Sequence, residues 1–371
     1  MTYRAMPVSS ARQMKDFYRI PFIVYGHDPN WVPPITSEVR RVLNVKLNPY
    51  FTKAKLKLFV CYKDNGIASR TALIINRLHQ QKVGVKSAFF GFFESIGDVN
   101  AVRYLFDEAE SYCKSHGMEL LEGPFNPNHY SELGLQMNQF GTSPTFFQPY
   151  NPDYYSSLLE EAGFHISARF HSLKNENIRE YILRRYGTRP VRLKAENYTI
   201  RSFSKSDSKA EFERIREVYN DAFSSNWHFL PLSKEEYLFS AKYMSLVTRP
   251  DLIKIVEHKG EPVAVFHCVL DINPALKKMK GKVGPVKYMR FLLNRRKIRK
   301  LILYSVGIKK SYQHSRVYKL LLTTFYQLCV KYNVLETTWT SEENIPAVKA
   351  AEHLGLKPDK QFAIFEKNLP I

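Results

Sequence analysis

The chain has 371 residues, 44% hydrophobic and 24% charged, with 55 Lys and Arg against 35 Asp and Glu, a net charge of +20. That length predicts two or three domains, and that composition excludes wholesale disorder. The surplus turns attention from cationic partners to anionic ones: nucleic acid, lipid headgroups, phosphorylated cofactors or an acidic protein.

The first half opens with a strand over residues 3–8 and helical spacing over 14–20 and 35–43. Apolar runs at 56–62 and 67–75 flank Asp64-Asn65-Gly66, a hairpin signal because Asn-Gly accepts positive φ at both turn positions. A strand at 88–93 follows. Val102, Leu105, Phe106, Ala109, Tyr112 and Cys113 then mark one helical face. A short strand at 119–121 comes next. A helix after Pro152 ends at Gly163-Phe164, and a strand continues from there. Residues 175–197 are polar and charged, the expected linker.

The second half repeats the order. Residues 198–203 alternate as a strand, and Phe212, Ile215, Val218 and Ala222 line a helix. Ser233 and Glu236 form a capping box for a second helix over 234–246. Strands at 252–257 and 263–270 are joined by a turn at Lys259-Gly260-Glu261. Residues 285–298 read as a basic amphipathic helix, with Val286, Met289, Leu292 and Leu293 on one side. A strand at 301–308 precedes a long helix marked by Val317, Leu320, Leu321, Thr324, Leu328 and Tyr332. A strand at 337–340, a helix ending at Gly355 and a strand at 362–365 finish the chain. The fold class is α/β (α+β): two mixed sheets flanked by helices, one α/β unit used twice.

The charge is not spread evenly. The 64 residues between Asp271 and Glu336 hold 16 of the basic residues and no acid, leaving 39 basic against 35 acidic elsewhere. A near-neutral remainder argues against nucleic acid. A concentrated field fits a phosphorylated acyl carrier, an acidic acyl carrier protein or an anionic membrane surface. The four cysteines, Cys61, Cys113, Cys268 and Cys329, lie far apart with no C-x-x-C pair. No metal or disulfide scaffold is expected. Without an apolar run of 18 residues or an apolar signal core, the expected location is cytoplasmic, at most peripheral to the inner membrane.

Element order and the block Asn344-Ile-Pro-Ala347-Val-Lys-Ala-Ala351-Glu-His-Leu-Gly355-Leu356 resemble the GNAT superfamily of acyl-CoA-dependent N-acyltransferases. Phrases such as Asp28-Pro29-Asn30-Trp31-Val32-Pro33-Pro34, Gly123-Pro124-Phe125-Asn126 and Tyr150-Asn151-Pro152-Asp153 resemble a double-GNAT group of bacterial N-acyltransferases. The resemblance implies a degenerate GNAT-like domain at 1–174 and a catalytic one at 198–371. It implies acyl-CoA (acetyl or longer) or an acylated carrier protein as donor, and a small-molecule or lipid amine, such as a sphingoid base, as acceptor. Two departures stand out. The family's phosphate loop carries glycines, whereas Gln313-His-Ser-Arg316-Val-Tyr318 has none. The family's usual general-acid Tyr is replaced by Ala351, and by Leu159 in the first half.

On this reading Val306, Ile308, Lys309, Lys310, Gln313, Arg316, Val317, Tyr318 and Asn344 contact the acyl carrier. Charge from Lys309, Lys310 and Arg316 replaces the close backbone approach that glycines allow. A backbone N–H near Val306 would face the developing oxyanion. Asp271, at a strand end, is the candidate catalytic residue that contacts substrate, weighed against a turn or cap role. Glu336 and Glu342, flanking the strand at 337–340 near the gap between strands, are each weighed as base against an exposed strand-end carboxylate, with Glu336 the catalytic candidate. Asn344 is read both as a helix cap and as a cofactor contact. His267 is expected to be a core residue. The alternative is a non-catalytic module that keeps the fold and binds anionic lipid, CoA or acyl carrier protein.

Overall fold

The computed structural model describes residues 1–187, 197–247, 249–282 and 284–370. The first half runs β1 (Tyr3–Pro7), α1 (Ala11–Val24), α2 (Thr36–Val42), β2 (Ala54–Lys63), β3 (Gly66–Asn76), α3 (Arg77–Val83), β4 (Ser87–Ser95) and α4 (Val99–Ser115). It continues with β5 (Leu120–Gly123), β6 (Phe125–Asn126), β7 (Glu132–Leu133), β8 (Leu135–Gln136), α5 (Tyr155–Glu161) and β9 (His165–Asn175). The second half runs α6 (Ile178–Tyr186), β10 (Tyr198–Ser202), α7 (Ser208–Ala222), α8 (Lys234–Val247), β11 (Ile253–His258), β12 (Glu261–Leu270), α9 (Asn273–Met279) and α10 (Pro285–Asn294). It ends with β13 (Lys300–Ile308), α11 (Val317–Cys329), β14 (Val334–Thr337), β15 (Thr340–Ser341), α12 (Ile345–Glu352) and β16 (Lys357–Asn368).

Contacts divide the chain into two compact units, Met1–His171 with Asn273–Gly284 and Lys360–Ile371, and Ser172–Ile272 with Pro285–Asp359. The first unit orders its strands β1-β2-β3-β4-β5-β16. Only β4 and β5 are parallel there; the other neighbours are antiparallel. Alternation on β2 splits its apolar residues between two cores. Phe59 and Cys61 join the cluster under α4, whose Val102, Leu105, Phe106, Ala109 and Cys113 are buried. Leu58, Val60 and Tyr62 point the other way, towards Phe17 of α1. Asp98 caps α4 by accepting from the Asn100 and Ala101 N–H groups, and a Ser10–Gln13 capping box starts α1.

The second unit orders its strands β9-β14-β13-β12-β11-β10, with β13 and β14 parallel. Ile253, Ile255 and Val265 pack on Ile215, Val218 and Tyr219 of α7. Phe266, one residue on, faces Phe325 of α11 at 5.4 Å between ring centroids.

Three features depart from the sequence expectation. The units do not follow the division at 174: residues 172–174 belong to the second, while 360–371 and 273–284 belong to the first. The β9 end pairs β14 (Leu335↔Asn175, Glu336↔Lys174), and β16 pairs β5 (Phe365↔Gly123, Lys367↔Leu121). Each half therefore supplies the other unit's strand beside its short parallel strand. Apolar alternation is the same for either partner, so the pattern alone cannot choose between them. The expected linker at 175–197 carries helix α6; its residues 188–196 lie outside the described residues. On α10, Leu292 is half-buried whereas Val286, Met289 and Leu293 are 65%, 58% and 69% exposed, so the four do not share a face.

Candidate functional site

The second unit's parallel strands separate part-way along. β13 and β14 pair from Lys300↔Val334 to Leu303↔Thr337. Beyond that level β13 stays with β12, but the register shifts: Cys268 faces Leu303 and His267 faces Ser305, so Tyr304 is an extra residue. Such a bulge bends its strand and raises its twist, which carries Tyr304, Val306 and Ile308 away from β14. Val306 is 42% exposed in the middle of a strand. Its neighbour Gly307 packs on α7, where an added Cβ would sit 3.2 Å from Tyr219 Cδ1, and the Tyr219 and Ser305 hydroxyls are hydrogen-bonded.

At the open end, residues 309–316 lead into α11. The Lys309 N–H donates to Val263 O, the Lys310 N–H to Asp221 Oδ1 at 2.6 Å, and Gln313 Nε2 to Ile308 O. Ser315 Oγ accepts from the Val317 N–H at 3.2 Å. Among the described residues, the N–H groups of Arg316, Tyr318 and Lys319 have no protein partner. A helix start with open donors and positive dipole suits an anion. Lys309 is half-buried there, and the Lys310 and Arg316 side chains are exposed. No residue from 309 to 318 has positive φ, so this loop needs no glycine to keep its shape. Val317 is a partial exception to the expected contacts. Its side chain is fully buried in the core, leaving only the backbone at the loop. Asn344 is exposed and caps α12 by accepting from the Ala347 N–H at 3.2 Å.

The two expected catalytic carboxylates are brought together, by a residue sequence reasoning missed. Lys300 Nζ lies 2.6 Å from Glu336 Oε2 and 3.5 Å from Asp271 Oδ2. Both carboxylates are buried, Glu336 at 1% exposure, and Ser172 Oγ also donates to Glu336. Glu336 is level with Ile302, one step below the last paired level of β13 and β14. Asp271, whose N–H donates to Lys300 O, sits at the foot of the strand. Along β13, six residues at ~3.3 Å each put the Lys300 end ~20 Å from Val306, and four put the Glu336 level ~13 Å from it. His267 is buried and burial pushes its pKa down to about 3, so it is neutral and faces the Tyr304 ring edge-on at 5.3 Å.

The first unit contains the same frame with the gap filled. β4 and β5 pair from Ser87↔Leu120 to Phe89↔Glu122, and β4 carries its own register shift against β3. The chain after β5 then crosses tightly over β4. A Cβ on Gly91 would lie 1.7 Å from Phe125 O, and Asn126 Oδ1 accepts from the Phe92 N–H at 2.6 Å. The protein's own backbone lies where the second unit is open. Register makes Glu122 the counterpart of Glu336, with Ser87 in the place of Lys300. Burial, with Glu366 directly across the β5–β16 pair, pushes the Glu122 pKa up to about 8.

Two units, each with a parallel pair that splays at a bulge, and each with its final strand supplied by the other half, define the tandem GNAT fold. A tandem GNAT protein from the clavulanic acid biosynthesis pathway aligns with 100% of this chain and 99% of its own, at a TM-score of 0.58 and 11% identity. A probable N-acyltransferase of Enterococcus faecalis V583 aligns with 100% of this chain and 73% of its own, at 0.55 and 10%. In sequence, the chain is 27% identical over 376 residues to the bacterial ceramide synthase of Caulobacter vibrioides, covering 98% of this chain and 97% of that protein. It is 26% identical over 371 residues to protein YghO of Escherichia coli K12, covering 96% and 93%. No family model matches. All four cysteines are free and buried, and no described helix is long and apolar enough to cross a membrane.

Proposed function

We propose that the chain is an N-acyltransferase whose second unit moves an acyl group from acyl-CoA, or from an acylated carrier protein, to a lipid amine of the sphingoid-base kind. The observation that carries this is the contrast between the two gaps: the second unit's is open at Val306 and ends at uncommitted N–H donors beside Lys309, Lys310 and Arg316, whereas the first unit's is filled by Phe125. The likeness to a bacterial ceramide synthase over nearly the full length of both chains supports a long acyl group and a lipid acceptor.

The donor's pyrophosphate would lie on the N-terminus of α11 and its pantetheine arm along residues 304–308. The acceptor nitrogen attacks the thioester carbonyl carbon, the C–N bond forms, the C–S bond breaks and the thiolate leaves, finally taking up as thiol the proton that the amine gave to the base. Backbone N–H groups along the splayed strand face the carbonyl oxygen. Of the two candidate carboxylates, Glu336 is nearer the gap. Its level lies four residues, ~13 Å, below Val306, so the amine proton would reach it through a chain of water rather than by direct contact, while Asp271 holds Lys300 in place. The chain would work in the cytoplasm, at an anionic membrane surface where its substrates are dissolved.

Glu336→Gln tests the assignment. Turnover should fall by about 10²–10⁴-fold, the usual contribution of a general base, with acyl-CoA affinity and melting temperature read alongside as controls for binding and folding. Undiminished turnover would remove Glu336 from the reaction.

A further inference from the structure

Helix α10 has two apolar faces, and only one is used by the fold. Phe291 is 6% exposed and anchors the inward side, with Leu292 half-buried beside it. At about 100° per residue, Val286, Met289 and Leu293 fall within a ~60° arc on the far side. They are 65%, 58% and 69% exposed. Three large apolar side chains in one ridge, opposite the buried face, are not part of the core. Arg290, exposed, lies ~40° from the edge of the ridge and Lys287, also exposed, ~100° from it, and Lys282, Lys297 and Arg299 are exposed beyond the helix ends. No acidic residue occurs anywhere between Asp271 and Glu336.

We infer that α10 is the element that seats this protein on an anionic lipid bilayer, with Val286, Met289 and Leu293 entering the acyl boundary and the flanking cations meeting the headgroups. An interfacial helix needs this combination of an exposed apolar ridge and basic margins. A diffuse negative surface complements a stretch of sequence that holds 16 basic residues and no acidic one. A second copy of the chain is the poorer occupant, because it would set two such stretches against each other. The choice of a bilayer over an acidic protein rests on the lipid acceptor proposed above. The ridge itself does not depend on that proposal.

The full chain is floated with vesicles of phosphatidylcholine alone, and with vesicles of equal phosphatidylcholine and phosphatidylglycerol. It should rise with the mixed vesicles, stay down with the neutral ones and be released by salt. Because the ridge is exposed, Val286→Ser, Met289→Ser and Leu293→Ser together should leave the melting temperature unchanged and abolish flotation. Arg290→Gln should weaken it about fivefold, and Lys287→Gln, further round the helix, by less. The proposal falls if the triple variant floats like the parent, if neutral vesicles bind equally, or if the triple variant instead dissolves a dimer or loses a complex with an acyl carrier protein. Flotation is read without turnover. A chain that floats but transfers no acyl group would refute the acyltransferase reading and leave the membrane seat standing.

Discussion

Replacing Lys300 by methionine removes the cation between two buried carboxylates while keeping the stem that packs beside them. At an effective dielectric of about 20, its attraction is ~6 kcal/mol to Glu336 at 2.6 Å and ~5 kcal/mol to Asp271 at 3.5 Å. Much of this is offset by the desolvation that lysine itself no longer suffers. Breaking a buried pair by deleting one partner costs about 3–5 kcal/mol in practice, because charge remains behind. Lys300 keeps about a quarter of its side-chain exposure, which favours the lower end, ~3 kcal/mol. For a unit of this size that is a fall of ~6–12 °C in melting temperature. Urea unfolding followed by tryptophan fluorescence would measure it. Lys300→Met combined with Glu336→Gln should recover at least ~1 kcal/mol, since one stranded charge is gone. A loss under ~1 kcal/mol for the single variant, or no recovery in the double, would refute the idea that Lys300 holds this cluster together.

Glu122 gives the opposite expectation. Its folded pKa of about 8 lies above the ordinary 4.5, so its contribution is intact below pH 4.5 and is lost as pH rises through 8. Glu122→Gln should therefore stabilise the chain by ~3 kcal/mol at pH 7 and by nothing near pH 4, with melting curves across pH as the readout; a pH-independent difference would contradict the shift. Gly91→Ala should cost ~3 kcal/mol or more, because its Cβ meets the Phe125 carbonyl, whereas Gly307→Ala meets only side chains at 3.2–3.4 Å and should cost ~1 kcal/mol. Arg316→Ala should weaken acyl-CoA binding by ~10-fold, and the affinity of the parent should fall with salt; calorimetric titration would show both.

How far the sequence could be read depends on which physical signal each feature carries. The doubled α/β order was legible because strand and helix periodicities are local, as in β2 and α4. The exchange of β9 and β16 was not, since one alternating strand serves either sheet equally well. The Gln313–Tyr318 stretch joins β13 to α11, a position that element order alone gives, but that Val317 turns its side chain inward and Val306 is exposed is set by the packing. Lys300 escaped notice because a strand-initial lysine carries no local mark; only the register of β12, β13 and β14 brings it to Asp271 and Glu336. The spacing of Val286, Met289, Leu292 and Leu293 marked an apolar side, but only burial could tell that Leu292 leaves it and that the core lies opposite, under Phe291. The filled gap of the first unit rests on a backbone contact at Gly91, which no residue pattern announces.

The central claim is acyl transfer in the second unit. Its most direct test is to incubate the chain with a sphingoid base and acyl-CoA thioesters of graded length, and to follow N-acyl product by mass together with the released thiol. The account predicts one amide formed per thiol released, with long acyl chains preferred, product lost in Glu336→Gln, and acyl-CoA weakened by Arg316→Ala. Tight acyl-CoA binding with no amide at any chain length would contradict it and leave a GNAT fold that binds without catalysing.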